Sequence, residues 1–200
     1  MAYQAKLFAA EIAADNQGGG IKIPVGLHTD GSVMFNGLTT ESTWTDINYA
    51  NQGGRSLHKR LFTPTGASPL EGESITDAKS REESRNIGHI VQVMVAVLDP
   101  AVVDAFEAGD YKSFVAGASL LLNDKKGTKV NLKVIPDRKE QKYPDVPSYG
   151  TYVERHIPGG VSSLKFSKKE LEAISLMESN RANTATASGA MSSEDLTSLV

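Results

Sequence analysis

The sequence predicts a mainly β protein, a small antiparallel barrel or sandwich with short helices inserted into it. Three observations lead there. Strand-like runs outnumber helix-like ones along the chain. The strands do not alternate with helices in the βαβ manner that builds a parallel sheet. Turn-forming residues separate them, as at Asp30-Gly31, Asn51–Gly54 and Pro158–Gly160.

Taken in order, residues 3–15 suit a short helix or a strand, ended by Gly18-Gly19-Gly20. Ile21–Leu27 alternates, with Pro24 marking an edge strand or bulge. Asp30-Gly31 lies between this run and Val33–Leu38, which is a hairpin signal. Thr43–Tyr49 and Leu57–Phe62 are rich in β-branched, aromatic and aliphatic residues and read as strands, joined by the loop Asn51–Gly54. Residues 63–86 read as a long excursion, with Pro64, Gly66, Pro69 and Gly72 before the charged run Asp77–Arg85. Ile87–Leu98 is expected as a strand. Asp99-Pro100 is an N-cap with proline at the first helical position, opening a helix that ends near Gly109. Tyr111, Phe114, Val115, Ala118 and Leu121 fall at helical spacing. After a turn at Asn123–Gly127, Val130–Ile135 and Tyr149–Ile157 are the last two strand candidates. Ser167 and Glu170 have capping-box spacing at the start of a final helix.

A chain of 200 residues suits one elaborated domain with an extension, and an apolar content of 40% is enough for a core. We divide it into a body, residues 1–179, and a tail, residues 180–200. Asn180–Ala190 is small and polar and is expected to be a flexible linker. Met191–Val200 ends in two carboxylates, Glu194 and Asp195, followed by Leu196, Leu199 and Val200. The chain has no cysteine, which excludes disulfides, thiolate-held zinc and a thiol nucleophile. The net charge of −3 excludes a globally basic nucleic-acid binder, so any polyanion site is a local patch. No apolar run reaches the roughly 18 residues of a membrane span, and the first residues lack a signal peptide's basic start. The expectation is a soluble protein of the cytoplasm, without membrane contact.

Enzyme signatures fail in turn. There is no phosphate loop ending in Gly-Lys-Ser/Thr and no Gly-x-Ser-x-Gly elbow. His28, His58, His89 and His156 never stand at metal-ligand spacing. Glu82-Glu83, beside Arg81 and Arg85, reads as a solvated face. No cofactor or metal is implied, and a non-enzymatic protein is expected.

Basic residues interleaved with aromatic ones are the positive signal. Residues 44–62 hold Trp44, Tyr49, Arg55, His58, Lys59, Arg60 and Phe62, opposed only by Asp46. Residues 125–142 are rich in lysine and include Lys133 and Arg138, and Tyr143, Tyr149, Tyr152 and Arg155 follow. Single-stranded nucleic acid calls for this mixture, because cations track phosphates while aromatic faces stack on bases. For any single aromatic residue, a place in the core is the competing explanation.

Leu61-Phe-Thr-Pro-Thr-Gly66 after Lys59-Arg60 resembles a basic-aromatic loop of phage single-stranded DNA-binding proteins. Val130–Ile135, Tyr143–Tyr149 and Tyr152–Glu154 share the resemblance, as does the acidic, apolar-ended tail. The tail departs from the family in carrying only two acids near its end and no terminal aromatic. The resemblance implies an oligonucleotide-binding (OB) barrel that coats single-stranded DNA during replication and recombination. Together with the basic-aromatic interleaving it makes Trp44, Tyr49, Phe62, Tyr149 and Tyr152 the stacking candidates, and Arg55, Lys59, Arg60, Lys133 and Arg155 the phosphate candidates. It further implies that Glu194, Asp195, Leu196, Leu199 and Val200 contact replication or recombination proteins. The rival expectation is a viral structural or assembly protein that does not bind nucleic acid.

Overall fold

The computed structural model describes residues 22–65, 67–138 and 143–190, excluding the side chains of 183–190. Among the described residues, strands β1 (Gly26–Thr40), β2 (Trp44–Asn51) and β3 (Ser56–Phe62) come first. Helices α1 (Ile75–Val97), α2 (Pro100–Asp104) and α3 (Tyr111–Asn123) follow, then β4 (Lys129–Pro136), β5 (Pro144–Asp145), β6 (Val153–Arg155) and α4 (Lys168–Ala190). The strands form one six-stranded antiparallel sheet in the order β3-β2-β1-β4-β5, with β6 also paired to β4. The mainly antiparallel β architecture is therefore as expected. By backbone pairing the sheet is not closed between β3 and β5.

β1 is the strand the sheet turns on. Its first half pairs with β4 and its second half with β2. Asp30-Gly31 does not make a hairpin; it makes a bulge within this one strand, where the β4 register shifts between His28 and Val33. The Asp30 carboxylate accepts from the Ser32 amide at 3.0 Å, and Gly31 takes a φ of 72°. A Cβ at Gly31 would lie 2.7 Å from Nε2 of His156, so glycine is required twice over. β2 and β3 match the expected strands and are joined by a tight turn in which the Gly54 amide donates to the Asn51 carbonyl at 3.1 Å.

The expected strand Ile87–Leu98 is instead the second half of α1, a helix of 23 residues. The exposure pattern explains the correction. A strand would place Val93, Val95 and Val97 on one face, but Val93 and Val97 are buried and Val95 is 58% exposed. The buried set Asn86, His89, Ile90, Val93, Met94 and Val97 has helical spacing. β-branched residues made the window read as a strand, but packing overrides that weak preference. The excursion 63–86 is accordingly shorter than expected, because its charged half begins α1, capped by the Ser74 hydroxyl on the Asp77 amide. The inserted helices are thus not all short.

Asp99 caps α2 with Pro100 in its first turn, as expected, although the helix stops at Asp104 rather than near Gly109. α3 opens with a capping box between Asp110 and Ser113. The strand expected over Tyr149–Ile157 is reduced to Val153–Arg155. Ser167 and Glu170 form the capping box of α4: each backbone amide donates to the other's side chain, at 2.6 and 3.3 Å. α4 continues to Ala190, through the stretch expected as a flexible linker. The alanines at 182, 185, 187 and 190 are the best helix formers and favour that extension.

One core joins the layers. Phe35, Ile47, Tyr49, Leu57, Leu61 and Leu132 of the sheet meet Ile90, Val93 and Met94 of α1 and Val115 and Leu122 of α3. Each such side chain contributes about 1.5–3 kcal/mol when fully buried. Phe35 and Tyr49 meet edge to face, with centroids 6.5 Å apart.

Candidate nucleic-acid interface

Alternation along β2 and β3 divides the hairpin into two faces. In β3, Leu57, Lys59 and Leu61 point inward while Ser56, His58, Arg60 and Phe62 point outward. Register then sets the outward neighbours: Trp44 lies opposite Phe62, Asp46 opposite Arg60, and Asn48 opposite His58. The Arg60 guanidinium makes a bidentate pair with Asp46, at 2.9 and 2.7 Å, and lies 4.1 Å from the centroid of the Trp44 ring. It is thus held by a carboxylate and by an indole face together. Trp44 is half-buried and Phe62 is 67% exposed. The Phe62 backbone is pinned by the Asn86 amide, which donates to its carbonyl at 2.9 Å.

Beyond Phe62 the surface dips into a groove of about 670 Å³ between the end of β3, the loop after it and the first half of α1. Arg81 pairs with Glu73 at 2.9 Å and with Glu82 at 2.6 Å, and Arg85 pairs with the other oxygen of Glu82. These pairs are layered. The arginine side chains at 60, 81 and 85 are 38–41% exposed, and their partners Asp46, Glu73 and Glu82 only 8–19%. In each pair the cation is thus the more exposed member and the carboxylate lies behind it.

His89 lies at the edge of this groove and is itself buried. Burial, followed by repulsion from Lys59 and Arg85, lowers its pKa to about 4. It is therefore neutral at pH 7. Across the sheet opening, Tyr149 is 63% exposed and carries the Arg138 guanidinium 4.9 Å from its ring centroid. Ser148, its neighbour in sequence, lines the same groove as Phe62.

The structure therefore brings Trp44, Arg60 and Phe62 together on one outward face and puts Tyr149 at the surface near the groove. It corrects the assignments of Tyr49, Tyr152, Lys59 and Lys133. Tyr49 and Tyr152 are fully buried and offer no ring face to a base. Tyr152 packs on the His89 ring at 5.4 Å. Lys59 points inward with Leu57 and Leu61; its ammonium donates to the Val146 carbonyl at 3.0 Å and lies 3.6 Å from Asp145. Desolvation lowers its pKa against the opposing pull of Asp145. Lys133 is also buried, binding Glu170 at 3.1 Å and the Lys165 carbonyl at 3.1 Å, so it fastens α4 to β4. The Arg155 side chain donates to the Leu98 carbonyl and ties β6 to the end of α1. Arg55 is half-buried at the β2–β3 turn, about 20 Å of strand away from Phe62. Glu194, Asp195, Leu196, Leu199 and Val200 lie outside the described residues.

Arg81, Arg85 and Arg138 were missed as site residues. The available signal was the i, i+4 spacing of Arg81 and Arg85, which puts both on one face only if the segment is helical. On this part-exposed, charged face of the helix, both arginines grip Glu82. Among the described residues there is no group of three or more metal-ligating side chains and no helix long and apolar enough to cross a membrane. Comparison with protein-family models, curated proteins and solved structures finds no match for this chain.

Proposed function

We propose that this protein binds single-stranded DNA without sequence preference and takes no part in chemistry on it. The observation that carries this reading is the outward cluster Trp44, Arg60 and Phe62, with an arginine stacked on an indole beside an exposed phenyl ring. Aromatic faces of this kind accept any base, and cations in front of their carboxylates track the backbone. We read the fold as OB-like. The strand order β3-β2-β1-β4-β5 supports this, as do the helices between β3 and β4 and the Lys59 side chain reaching from β3 to Asp145 and Val146. In OB-folds the face of strands 2 and 3 is the one that binds oligonucleotides. A role in replication or recombination follows from the sequence resemblance, with residues 191–200 as the segment that contacts partner proteins.

Titration with oligo-dT tests this. Trp44 is the sole tryptophan, so fluorescence quenching reports on the proposed face. Binding should weaken with salt at a log–log slope of about −0.7 per phosphate contact, giving about −2 or steeper for Arg60, Arg85 and Arg138 together. Absence of binding at low salt would defeat the proposal and favour the rival role in a viral particle. Deleting residues 191–200 should remove contacts with partner proteins and leave oligo-dT affinity within a few-fold.

A further inference from the structure

We propose that the groove between β3 and α1 is the continuation of the strand's track, seating a DNA phosphate between Arg81 and Arg85 at the position that Glu82 fills in the free protein. The inference rests on the single-stranded DNA reading and specifies where the strand goes after it leaves the β2–β3 face.

Three features carry it. The first is how Glu82 is held. Two guanidiniums one helical turn apart grip its two oxygens, Arg81 on Oε1 and Arg85 on Oε2. That arrangement is an anion site occupied by the protein's own carboxylate. A phosphate offers more oxygens to the same pair and suits guanidinium geometry at least as well. The second is at the edge of the groove. His89 is 4% exposed, lines the groove, and its Nδ1 has no hydrogen-bond partner. A buried polar atom left unpaired is costly and calls for an explanation, and a bound ion or water is one. The third is continuity. Phe62 and Arg60 stand both on the outward face of the hairpin and on the groove wall, so a strand stacked at Trp44 and Phe62 meets the groove as its next step. The volume of about 670 Å³ falls within the range of ordinary ligand sites, about 300–1,000 Å³.

Glu82 then acts as a placeholder. In the free protein it keeps Arg81 and Arg85 extended towards one point and screens their repulsion. When the strand arrives, its phosphate displaces the carboxylate, and Arg81 keeps Glu73 as its partner. Part of the attraction is spent on that displacement. Removing the Glu82 charge should therefore strengthen binding, although it breaks two ion pairs.

The test uses Glu82→Gln and Arg85→Gln in the full chain, with oligo-dT of increasing length followed by Trp44 fluorescence. Glu82→Gln should tighten binding several-fold at low salt. Arg85→Gln should weaken it several-fold and make the salt slope shallower by about 0.7. Both effects should appear only with oligomers long enough to pass Phe62, and Arg85→Lys should restore part of the loss. Thymidine 5′-monophosphate and inorganic phosphate, added as competitors, separate a strand phosphate from a free one. Weak competition supports the strand, whereas strong competition that leaves oligo-dT binding independent of Arg85 overturns the proposal. It is also overturned if Glu82→Gln and Arg85→Gln both bind as the wild type does while Arg60→Gln still weakens binding; the β2–β3 face then stands and the groove does not. If the wild type binds no oligo-dT, both readings fall together. Should Glu82→Gln lower the melting temperature enough to obscure binding, the Arg85→Gln and Arg85→Lys pair decides the matter.

Discussion

The two faces of the β2–β3 hairpin carry the same residue types and put them to opposite uses. Inward, Tyr49 and Lys59 sit one cross-strand step apart, sealed among Phe35, Leu57 and Leu61. Outward, Trp44 and Arg60 sit at a similar separation and meet solvent. An aromatic ring and a cation do not by themselves mark a binding site. Parity along the strand decides which pair faces the core, and the partners decide how each charge is held. Lys59 needs Asp145 and the Val146 carbonyl because it is buried, and Arg60 keeps an exposed face because Asp46 lies beneath it.

Four changes sharpen or break this contrast, taken from the largest expected effect. Tyr49→Ala removes a fully buried ring and should cost about 3–5 kcal/mol of stability; chemical denaturation measures it, and the protein that stays folded should bind oligo-dT normally. Trp44→Ala should do the reverse, losing about 1–3 kcal/mol of binding with little change in stability. If Trp44→Ala unfolds the protein, the two faces are not distinct in the way described. The third change is in pH. The folded-state pKa of His89, about 4, lies below its ordinary value of 6.5. The unfolded chain therefore takes up a proton that the folded protein refuses. Stability should fall as pH drops from about 6.5 to about 4, by about 2–3 kcal/mol, and then level off. Melting curves across that window check it, and His89→Gln should flatten the dependence. A wild-type protein equally stable at pH 7 and pH 4.5 would show that the imidazole is not shielded. The smallest effect is on salt dependence. Arg60→Gln should reduce the log–log slope by about 0.7, whereas Lys59→Met should leave the slope unchanged because that ammonium is buried against Asp145 and the Val146 carbonyl. Equal slopes in the two variants would erase the distinction between outward and inward cations.

Much of this contrast could be read in advance. Leu57 and Leu61 stand two residues either side of Lys59, and Phe62 stands two residues after Arg60. Alternation therefore assigns Lys59 to the apolar face and Arg60 to the other. What argues against that reading in sequence is the rarity of buried lysine. Only Asp145 and Val146, more than eighty residues away, make it tolerable. Tyr152 has the same history. It follows Tyr149 closely and reads with it as a stacking candidate, yet it is buried against His89 of α1.

By itself the sequence determined what depends on neighbours a few residues apart. The strands β2, β3 and β4, the caps at Asp99 and Ser167 and the turn at Asn51–Gly54 all lie where local bonding and alternation place them. Tertiary structure decided whatever required a distant partner. It turned Ile87–Val97 into a helix, because only a helix lays Ile90, Val93, Met94 and Val97 on the sheet together. It made a bulge of Asp30-Gly31, because β1 has β4 beside it and the Gly31 backbone has the His156 ring against it. It gathered Arg81, Arg85 and Phe62 around one groove from segments that carry no mutual signal in sequence. The physical reason is the same in each case: a local preference is worth a few tenths of a kcal/mol per residue, whereas burying one large apolar side chain is worth about 1.5–3 kcal/mol.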